Sequence, residues 1–330
     1  MRLIKPSFEI WDQQEGLEGI YKQIERAGRV CYKSEDKITE DSAKEFVERM
    51  IKSGHGAMLE HGTIYMKFKT DISMSDNMKV WKEDWLNKLI GSPYSKNLID
   101  EEDYVNLTTN LRVLIEISEQ YPIYEEEALD FFLSLMCEPT EYHKRRVTVH
   151  FVCDRGVSHE FVRHRVFSFA QESTRYCNYS KDKFGNELAF IIPCWLDIIS
   201  EADEIHMDGN EEDFCYPEDI YTPNFLYTLK YAERAYLDLL QQWDKRIPDK
   251  RFKSGYKNNP WTPQQARAVL PNSLKTELVM TGFVSDWEHF FKLRDAGSAH
   301  PQARELAHPL HMEFLRRNYL VDLYDEANPD

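Results

Sequence analysis

With 330 residues, 42% of them hydrophobic and 13% aromatic, the chain has enough apolar material for a full core, and its 13 glycines and 14 prolines exclude collagen-like and disordered classes. Lys and Arg number 41 against 57 Asp and Glu, a formal net charge of −16 at pH 7. A field of that sign repels nucleic-acid phosphates and anionic lipid, so neither nucleic acid nor a membrane is an expected partner, and any phosphorylated ligand requires a local basic pocket. The most apolar stretch, Leu188 to Ile199, carries Pro193 and Asp197 and falls short of the ~20 residues a bilayer needs. The opening MRLIKPSFEIWDQQ has no hydrophobic run with a cleavage site. Six cysteines, Cys31, Cys137, Cys153, Cys177, Cys194 and Cys215, form no CxxC pair, and a reducing, cytoplasmic compartment is the expected setting.

In chain order, Asp41 or Ser42 opens an amphipathic helix. Glu45 completes its capping box, Ala43, Phe46, Val47, Met50 and Ile51 share one face, and Gly54 stops it. The segment GHGAMLEHGTIYMKFK then ends in a strand, where Ile64, Met66 and Phe68 alternate with Thr63, Tyr65, Lys67 and Lys69. His55, Glu60 and His61 lie on the loop that feeds it. Residues 70–145 read as an inserted, mostly helical module around Trp81, Trp85, Leu89 and Ala128 to Met136, without chemistry of its own. RRVTVHFVCD is a second strand, with Val147, Val149, Phe151 and Cys153 on one face, and passes through Asp154 and Gly156 into a helical run, SHEFVRHRV.

Glu201 to Asp219 hold nine carboxylates and no Lys or Arg, the mark of a solvated acidic loop. From Asn224 a long helix carries Leu226, Leu229, Tyr236, Leu239, Leu240 and Trp243 at helical spacing and stops near Ile247-Pro248. Thr262-Pro263 caps a short helix through Leu270, and Ser285 with Glu288 forms the capping box of a helix carrying Arg294. Pro301 to Leu320 is a last helix with a kink expected at Pro309. The expected organisation is a single domain over 1–330 with insertions at about 70–145 and 181–224.

Chemistry concentrates where Arg163, His164, Arg165, Ser173 and Arg175 place three guanidiniums, an imidazole and a hydroxyl within thirteen positions. Arg forks bind phosphate oxygens in bidentate fashion and keep their charge, so the cluster suits a phosphate; the same arginines could instead pair with surplus surface carboxylates. His55, Glu60 and His61 form a possible metal set for a hydrolase, without HExxH spacing, and His300, His308 and His311 a zinc set disturbed by Pro309. Cys177, near Arg175, reads as packing rather than as a nucleophile.

The full spacing Arg163-His164-Arg165, seven residues from Val166 to Glu172, then Ser173, resembles the RHRx7S motif of the flavin-dependent thymidylate synthases. GRVCYKS at Gly28 to Ser34, HGAMLEHGTIYMKF from His55, ARAVLP with Arg267 and FFKLR ending at Arg294 resemble further family segments, in the same order. The resemblance implies an α+β fold, an antiparallel sheet flanked by helices, in a homotetramer whose active sites each draw on several subunits. It implies reductive methylation of dUMP to dTMP, with methylenetetrahydrofolate as carbon donor and FAD reduced by NADPH, and no metal. By the same resemblance Arg163, His164 and Arg165 contact the flavin, with Glu60, Ser34 and His289 also on the cofactor. His55 lies beside flavin and folate. Ser173, Thr174, Arg175 and Arg267 hold the nucleotide phosphate, Gln171 and Glu160 touch the nucleotide, and Arg294 stands at the uracil edge, so that Arg294, Ser173 and His55 form the catalytic set. The chain departs from the family at Ser285, His289 and His300, and Glu160 replaces the more usual amide. These departures leave a non-catalytic nucleotide-binding module as the alternative.

Overall fold

The computed structural model describes residues 1–69, 79–181, 184–185, 187–196, 204–207, 221–241 and 260–320; most of the acidic loop read at 201–219 and the helix stop expected at Ile247-Pro248 lie outside them. The chain opens with strands β1 (Arg2–Ile4) and β2 (Ser7–Trp11), helices α1 (Gly16–Tyr32) and α2 (Ser42–Lys52), and the single turn α3 (Gly56–Leu59), which leads into β3 (Thr63–Lys69). Then come α4 (Lys79–Gly91), β4 (Lys96–Ile99), β5 (Tyr104–Asn110), α5 (Leu111–Ser118) and α6 (Glu125–Ser134). Strand β6 (Arg146–Asp154) runs directly into α7 (Arg155–Phe161), followed by β7 (Ser168–Gln171), β8 (Ala189–Ile191), β9 (Glu204–His206) and α8 (Tyr221–Leu240). The last elements are α9 (Pro263–Ala266), β10 (Lys275–Phe283), α10 (Val284–Arg294) and α11 (Pro301–Arg316).

The fold is α+β, with the strands in three sheets: β2-β6-β10-β7, β3-β5-β4 and β8-β1-β9. All pairings in the first two are antiparallel, whereas β1 and β8 run parallel. Among the described residues, no helix is long and apolar enough to cross a membrane.

Strand β10 is the centre of the largest sheet, paired with β6 from Lys275↔Asp154 to Phe283↔Arg146 and with β7 from Leu278↔Gln171 to Thr281↔Ser168. Leu278 and Met280 join Phe151, Phe161, Trp287, Phe290 and Phe314 on the side covered by α7, α10 and α11. Val279 packs with Trp11, Ala27 and Val30 on the opposite side, under α1. Burial of each large side chain contributes roughly 1.5–3 kcal/mol, and this strand collects such contributions on both of its faces. A strand buried on both faces shows no alternation, so the period-two reading that located β3 and β6 passes over β10.

The segment read as a mostly helical module supplies three helices, but also β4 and β5, and β5 pairs with β3 along its whole length. The polar run Asn106 to Asn110 concealed this strand. Its Asn and Thr residues are buried, and most of them find partners, while Thr108 Oγ1 and Asn110 Nδ2 have none among the described residues. Asn106 Nδ2 donates to Asp100 Oδ2 at 3.0 Å, Ser95 Oγ to Thr109 Oγ1 at 2.9 Å, and Val113 N to Asn110 Oδ1 at 3.3 Å, the last capping α5. Buried polar groups with partners are tolerated, and composition alone reads them as loop.

Helix boundaries follow local chemistry. In α2 the expected capping box is not made: Asp41 is the N-cap without a side-chain bond, and Ser42 Oγ instead accepts from Thr39 N at 2.9 Å and donates to Glu25 Oε2 at 2.8 Å. Helix α10 starts one residue before Ser285, with Asp286 Oδ2 accepting from Phe283 N at 2.9 Å, while Ser285 Oγ accepts from Lys96 Nζ at 2.7 Å. Helix α7 begins at Arg155 and ends at Phe161, so Arg163 to Val166 lie in the turn beyond it. The Thr262 cap forms as read, with Thr262 N donating to Gln265 Oε1 at 2.9 Å. Helix α11 contains Pro309 and ends at Arg316, four residues before Leu320.

Near the end of β10 a Cβ on Gly282 would lie 2.5 Å from the Phe167 ring, and that ring is buried against Trp287 at 4.6 Å between centroids. Gly282→Ala is expected to destabilise the protein by about 1–3 kcal/mol, read as a lower urea midpoint with an unchanged slope; an unchanged midpoint would mean that the ring moves freely.

Candidate functional site

The sequence-singled residues gather at the two ends of β10. At the Lys275 end, β6 turns into α7 through Asp154, whose Oδ1 accepts from Val157 N at 2.7 Å and whose Oδ2 accepts from Gln302 Nε2 at 2.7 Å. Burial raises the pKa of this carboxyl. The first turn of α7 is fixed by Arg155 N and Gly156 N, which donate to Asn272 O at 2.8 and 3.3 Å. Arg155 and His159, four apart on one face of α7, line a cavity of about 440 Å³ together with Thr174, Gln264, Arg267 and Asn272. Arg267, placed by the capped turn of α9, donates from Nη1 to Thr174 Oγ1 at 3.4 Å. Among the described residues, no carboxylate lines the cavity.

Ser173 and Arg175 leave β7 beside this cavity. Ser173 N donates to Cys31 O at 3.0 Å, and Ser173 Oγ accepts from Arg175 N at 3.3 Å. Gln171 Nε2 donates to Ser158 Oγ at 2.9 Å. Behind them lies an ion network: Lys33 Nζ reaches Glu277 Oε1 at 2.7 Å, Lys275 bridges Glu277 and Glu172, and His150 Nε2 contacts Glu277 Oε2 at 3.0 Å. Burial pushes the pKa of Glu277 up, but the His150 hydrogen bond and the charges of Lys275 and Lys33 outweigh it and hold the carboxyl well below the usual range. Lys33 has left-handed backbone, φ 47°, which turns the chain out of α1 toward Ser34.

Arg294, the last residue of α10, is gripped by α7 and the turn after it. Nε donates to His164 Nε2 at 3.0 Å, Nη1 to Glu160 Oε2 at 2.5 Å and Nη2 to Glu160 O at 2.9 Å. A guanidinium only donates, so His164 accepts at Nε2 and carries its proton at Nδ1. Burial, with the Arg294 and His289 charges adding to it, lowers this imidazole from 6.5 to about 4. Arg163 and Arg165 are exposed beside it, and the His289 ring lies 5.9 Å from that of His164.

The Phe283 end of β10 holds Glu60, whose Oε1 accepts from Arg112 Nη1 at 2.5 Å and whose backbone O accepts from Arg146 Nη1 at 3.0 Å. Burial lowers Arg146 to about 10. His55 is exposed at the start of α3, whereas His61 is fully buried, its Nδ1 2.8 Å from Thr281 Oγ1, and burial lowers it to about 3.

Eight residue steps separate Lys275 from Phe283, about 27 Å at ~3.4 Å per residue. One chain therefore brings Gln171, Ser173, Thr174, Arg175 and Arg267 together at one end of the strand, with Ser34 on the same side. Glu60, His164, Arg163 and Arg165 lie toward the other, with His289 beside His164, while Glu160, next to His159 of the cavity, and Arg294, which it holds, stand between them.

The His55, Glu60 and His61 set does not converge: His61 turns into the core and Glu60 to Arg112. In the second histidine set, His308 and His311 each bond Asp295 at 2.9 Å, while His300 stands against Trp195. Cys177 is buried among Tyr179, Phe190 and Tyr236. A larger cavity of about 570 Å³, lined by Trp11, Tyr65, His143, Arg145 and Arg146 among others, touches none of the residues singled out from the sequence, and Asp12, Glu15, Glu138 and Glu141 make it a poorer anion site. Arg155 and His159, Arg112 and Arg146 were missed. The four-residue spacing of Arg155 and His159 on a helix was the available signal, and the other two depend on tertiary contact.

A family model described as thymidylate synthase complementing protein matches residues 17–79 and 139–317. A flavin-dependent thymidylate synthase of Mycobacterium avium is 31% identical over 164 residues, 49% of this chain and 53% of that protein. One of Corynebacterium diphtheriae is 28% identical over 153 residues, 46% and 50% of the two chains. The matched part of the chain thus spans about half the length of these curated relatives. The solved UMP/dUMP methylase PolB of Streptomyces cacaoi, bound with 5-Br dUMP, aligns over 96% of this chain and 93% of its own at 16% identity and a TM-score of 0.38.

His164 has a pH consequence. Between about 4 and 6.5 the unfolded chain binds a proton that the folded imidazole refuses, so stability rises with pH across that window and falls as acid is added. The lowered imidazole corresponds to roughly 3 kcal/mol at full protonation. His164→Gln keeps an acceptor for Arg294 but cannot titrate. Urea unfolding at pH 7 and 4.5 should show the parent losing about 2–3 kcal/mol more than the variant, and equal losses would remove His164 as the cause.

Proposed function

Because the chain belongs to the thymidylate synthase complementing protein family, we propose that it catalyses the reductive methylation of dUMP to dTMP, with methylenetetrahydrofolate as carbon donor and FAD reduced by NADPH. The observation that carries this reading is the cavity wall of Thr174 and Arg267 that adjoins the RHRx7S segment and holds no carboxylate among the described residues. In a chain of net charge −16, cations around a concavity without ion pairs among the described residues suit a phosphomonoester.

The other end of β10 fits a flavin dinucleotide. Arg163 and Arg165 are exposed and carry no ion pair among the described residues, and exposed Val166 lies next to them, a combination that suits a group with both anionic and apolar parts. Arg163, His164 and Arg165 would hold it, with His289 and Glu60 beside them and Ser34 supplied from the other end. Bound FAD would supply the hydride that no side chain can carry.

Arg294 has five N–H groups, three of them committed to His164 and Glu160. The remaining two are available to a uracil carbonyl, where a fixed cation stabilises charge developing as C5 is activated. Neutral His164 and the carboxylate of Glu160 set the orientation of that fork. Ser173, Thr174, Arg175 and Arg267 bind the phosphate, Gln171 the nucleotide, and His55 the edge shared with the folate. The homotetramer with shared sites that the resemblance implies is part of the same proposal.

The direct test is an anaerobic absorbance titration. Protein reduced with NADPH is given dUMP and methylenetetrahydrofolate while dTMP is assayed. Flavin reoxidation in step with dTMP supports the proposal; absence of flavin after FAD is added would overturn it. Arg294→Ala should lower kcat more than dUMP affinity, because charge stabilisation acts on the transition state, and a pure affinity loss would remove that role. Arg175→Ala should weaken dUMP binding about 10-fold or more with a smaller effect on kcat; unchanged affinity would place the phosphate elsewhere.

A further inference from the structure

We propose that Arg112 is a positioning residue: reaching in from the segment read as an insertion, it clamps the turn that carries His55 and Glu60 and aims the second oxygen of the Glu60 carboxylate at a hydroxyl or N–H of the bound cofactor. The proposal rests on the functional reading above for the identity of that cofactor as a flavin dinucleotide. Arg112 falls between the two stretches, 17–79 and 139–317, that the family model matches, so the contact is made by this chain's own insertion.

The register of β3 and β5 sets the approach. Asn110, the last residue of β5, lies opposite Thr63, the first of β3, and in an antiparallel pair the residues after Asn110 run back past those before Thr63. Leu111 N accordingly donates to Gly62 O at 3.1 Å, and Arg112, in the first turn of α5, arrives at Glu60. Asn110 caps that helix by accepting from Val113 N, which fixes the backbone from which Arg112 extends. The side chain passes over Gly56, where an added Cβ would lie 3.2 Å from Arg112 Nε. Its fork is set by Glu116 one turn on, with Nε donating to Oε1 at 2.6 Å, and by the Tyr94 ring, whose centroid is 5.6 Å from Cζ.

One arginine therefore touches both ends of α3, the Gly56 end next to His55 and the Glu60 end. Glu60 is 7% exposed, and its carboxylate takes its positive partner from Arg112, Nη1 to Oε1 at 2.5 Å, whereas Arg146 holds only its backbone O. Among the described residues, Glu60 Oε2 makes no hydrogen bond or ion pair. A carboxylate held by one oxygen keeps full acceptor capacity on the other, and its burial raises the cost of leaving that capacity unmet. Loss of the arginine would leave the buried charge uncompensated and the carboxylate free to rotate.

FAD affinity and backbone protection, both measured on the full chain, test the assignment. Fluorescence titration with FAD is carried out for the parent, Arg112→Gln, Glu60→Gln and the double variant. Arg112→Gln should weaken FAD about 10-fold, and the double variant should lose little beyond Glu60→Gln alone, because the arginine acts through that carboxylate. Without ligand, amide exchange across residues 55–62 should quicken in Arg112→Gln while β6 and β10 stay as protected as in the parent. Should β10 lose protection as well, Arg112→Lys, which keeps the charge and lacks the fork, carries the same cycle. Additive losses, or FAD binding as in the parent, would overturn the assignment, and a parent that still makes dTMP would leave the functional proposal standing. If the parent binds no FAD while exchange across 55–62 depends on Arg112, the clamp on the turn stands and the functional proposal, with the aim of Glu60 at a flavin, falls.

Discussion

Strand β10 is hydrogen-bonded on both edges and covered on both faces, and that double enclosure is the constraint from which the rest of the molecule follows. Apolar layers on both sides leave no outlet for polar groups along its middle. They collect toward its ends, where every donor and acceptor needs a partner before it can be buried. Lys275 and Glu277 bind Lys33, His150 and Glu172 at one end. Thr281 meets Thr148 and His61 at the other, close to Arg146. The residues with available chemistry extend from these two networks.

A surplus of acid makes the unpaired cations informative. Carboxylates outnumber Lys and Arg by 16, yet Arg155, Arg163, Arg165, Arg175 and Arg267 carry no ion pair among the described residues, whereas Arg29, Arg112, Arg294 and Arg317 do. The difference is geometric. Helical neighbours at i+3 or i+4 neutralise Arg112 and Arg316, while the unpaired arginines lie at element ends and turns, where no such neighbour is within reach. Cations that stay unpaired in an acidic chain are available for an external anion, and two of them face one cavity. Arg294 is a different case: its partners fix the direction of its free N–H groups more than they cancel its charge.

Patterns that depend on one exposed face were legible in the sequence. The alternation of β3 and β6, the amphipathic stripe of α2, the Thr262 cap and the Arg, His and Ser spacing from Arg163 to Ser173 are local and survive folding unchanged. Strands β5 and β10 were not legible, for opposite reasons: β10 is apolar on both faces, and β5 hides a polar run that becomes buried once Asp100, Ser95 and Thr109 pair. The capping boxes read at Asp41 and Ser285 failed because competing partners, Glu25 and Lys96, come from distant positions.

Residue types and spacings by themselves determined the need for a basic pocket and the arginine-rich segment, and the fold class followed from the family that this segment resembles, because charge and periodicity are properties of the chain. Tertiary structure decided which arginines carry no ion pair among the described residues, that the segment read as lacking chemistry supplies Arg112 to Glu60, and that Arg294 is held by His164 and Glu160. Those outcomes depend on distances between residues far apart in the chain, and such distances are set by packing against β10 rather than by any local preference.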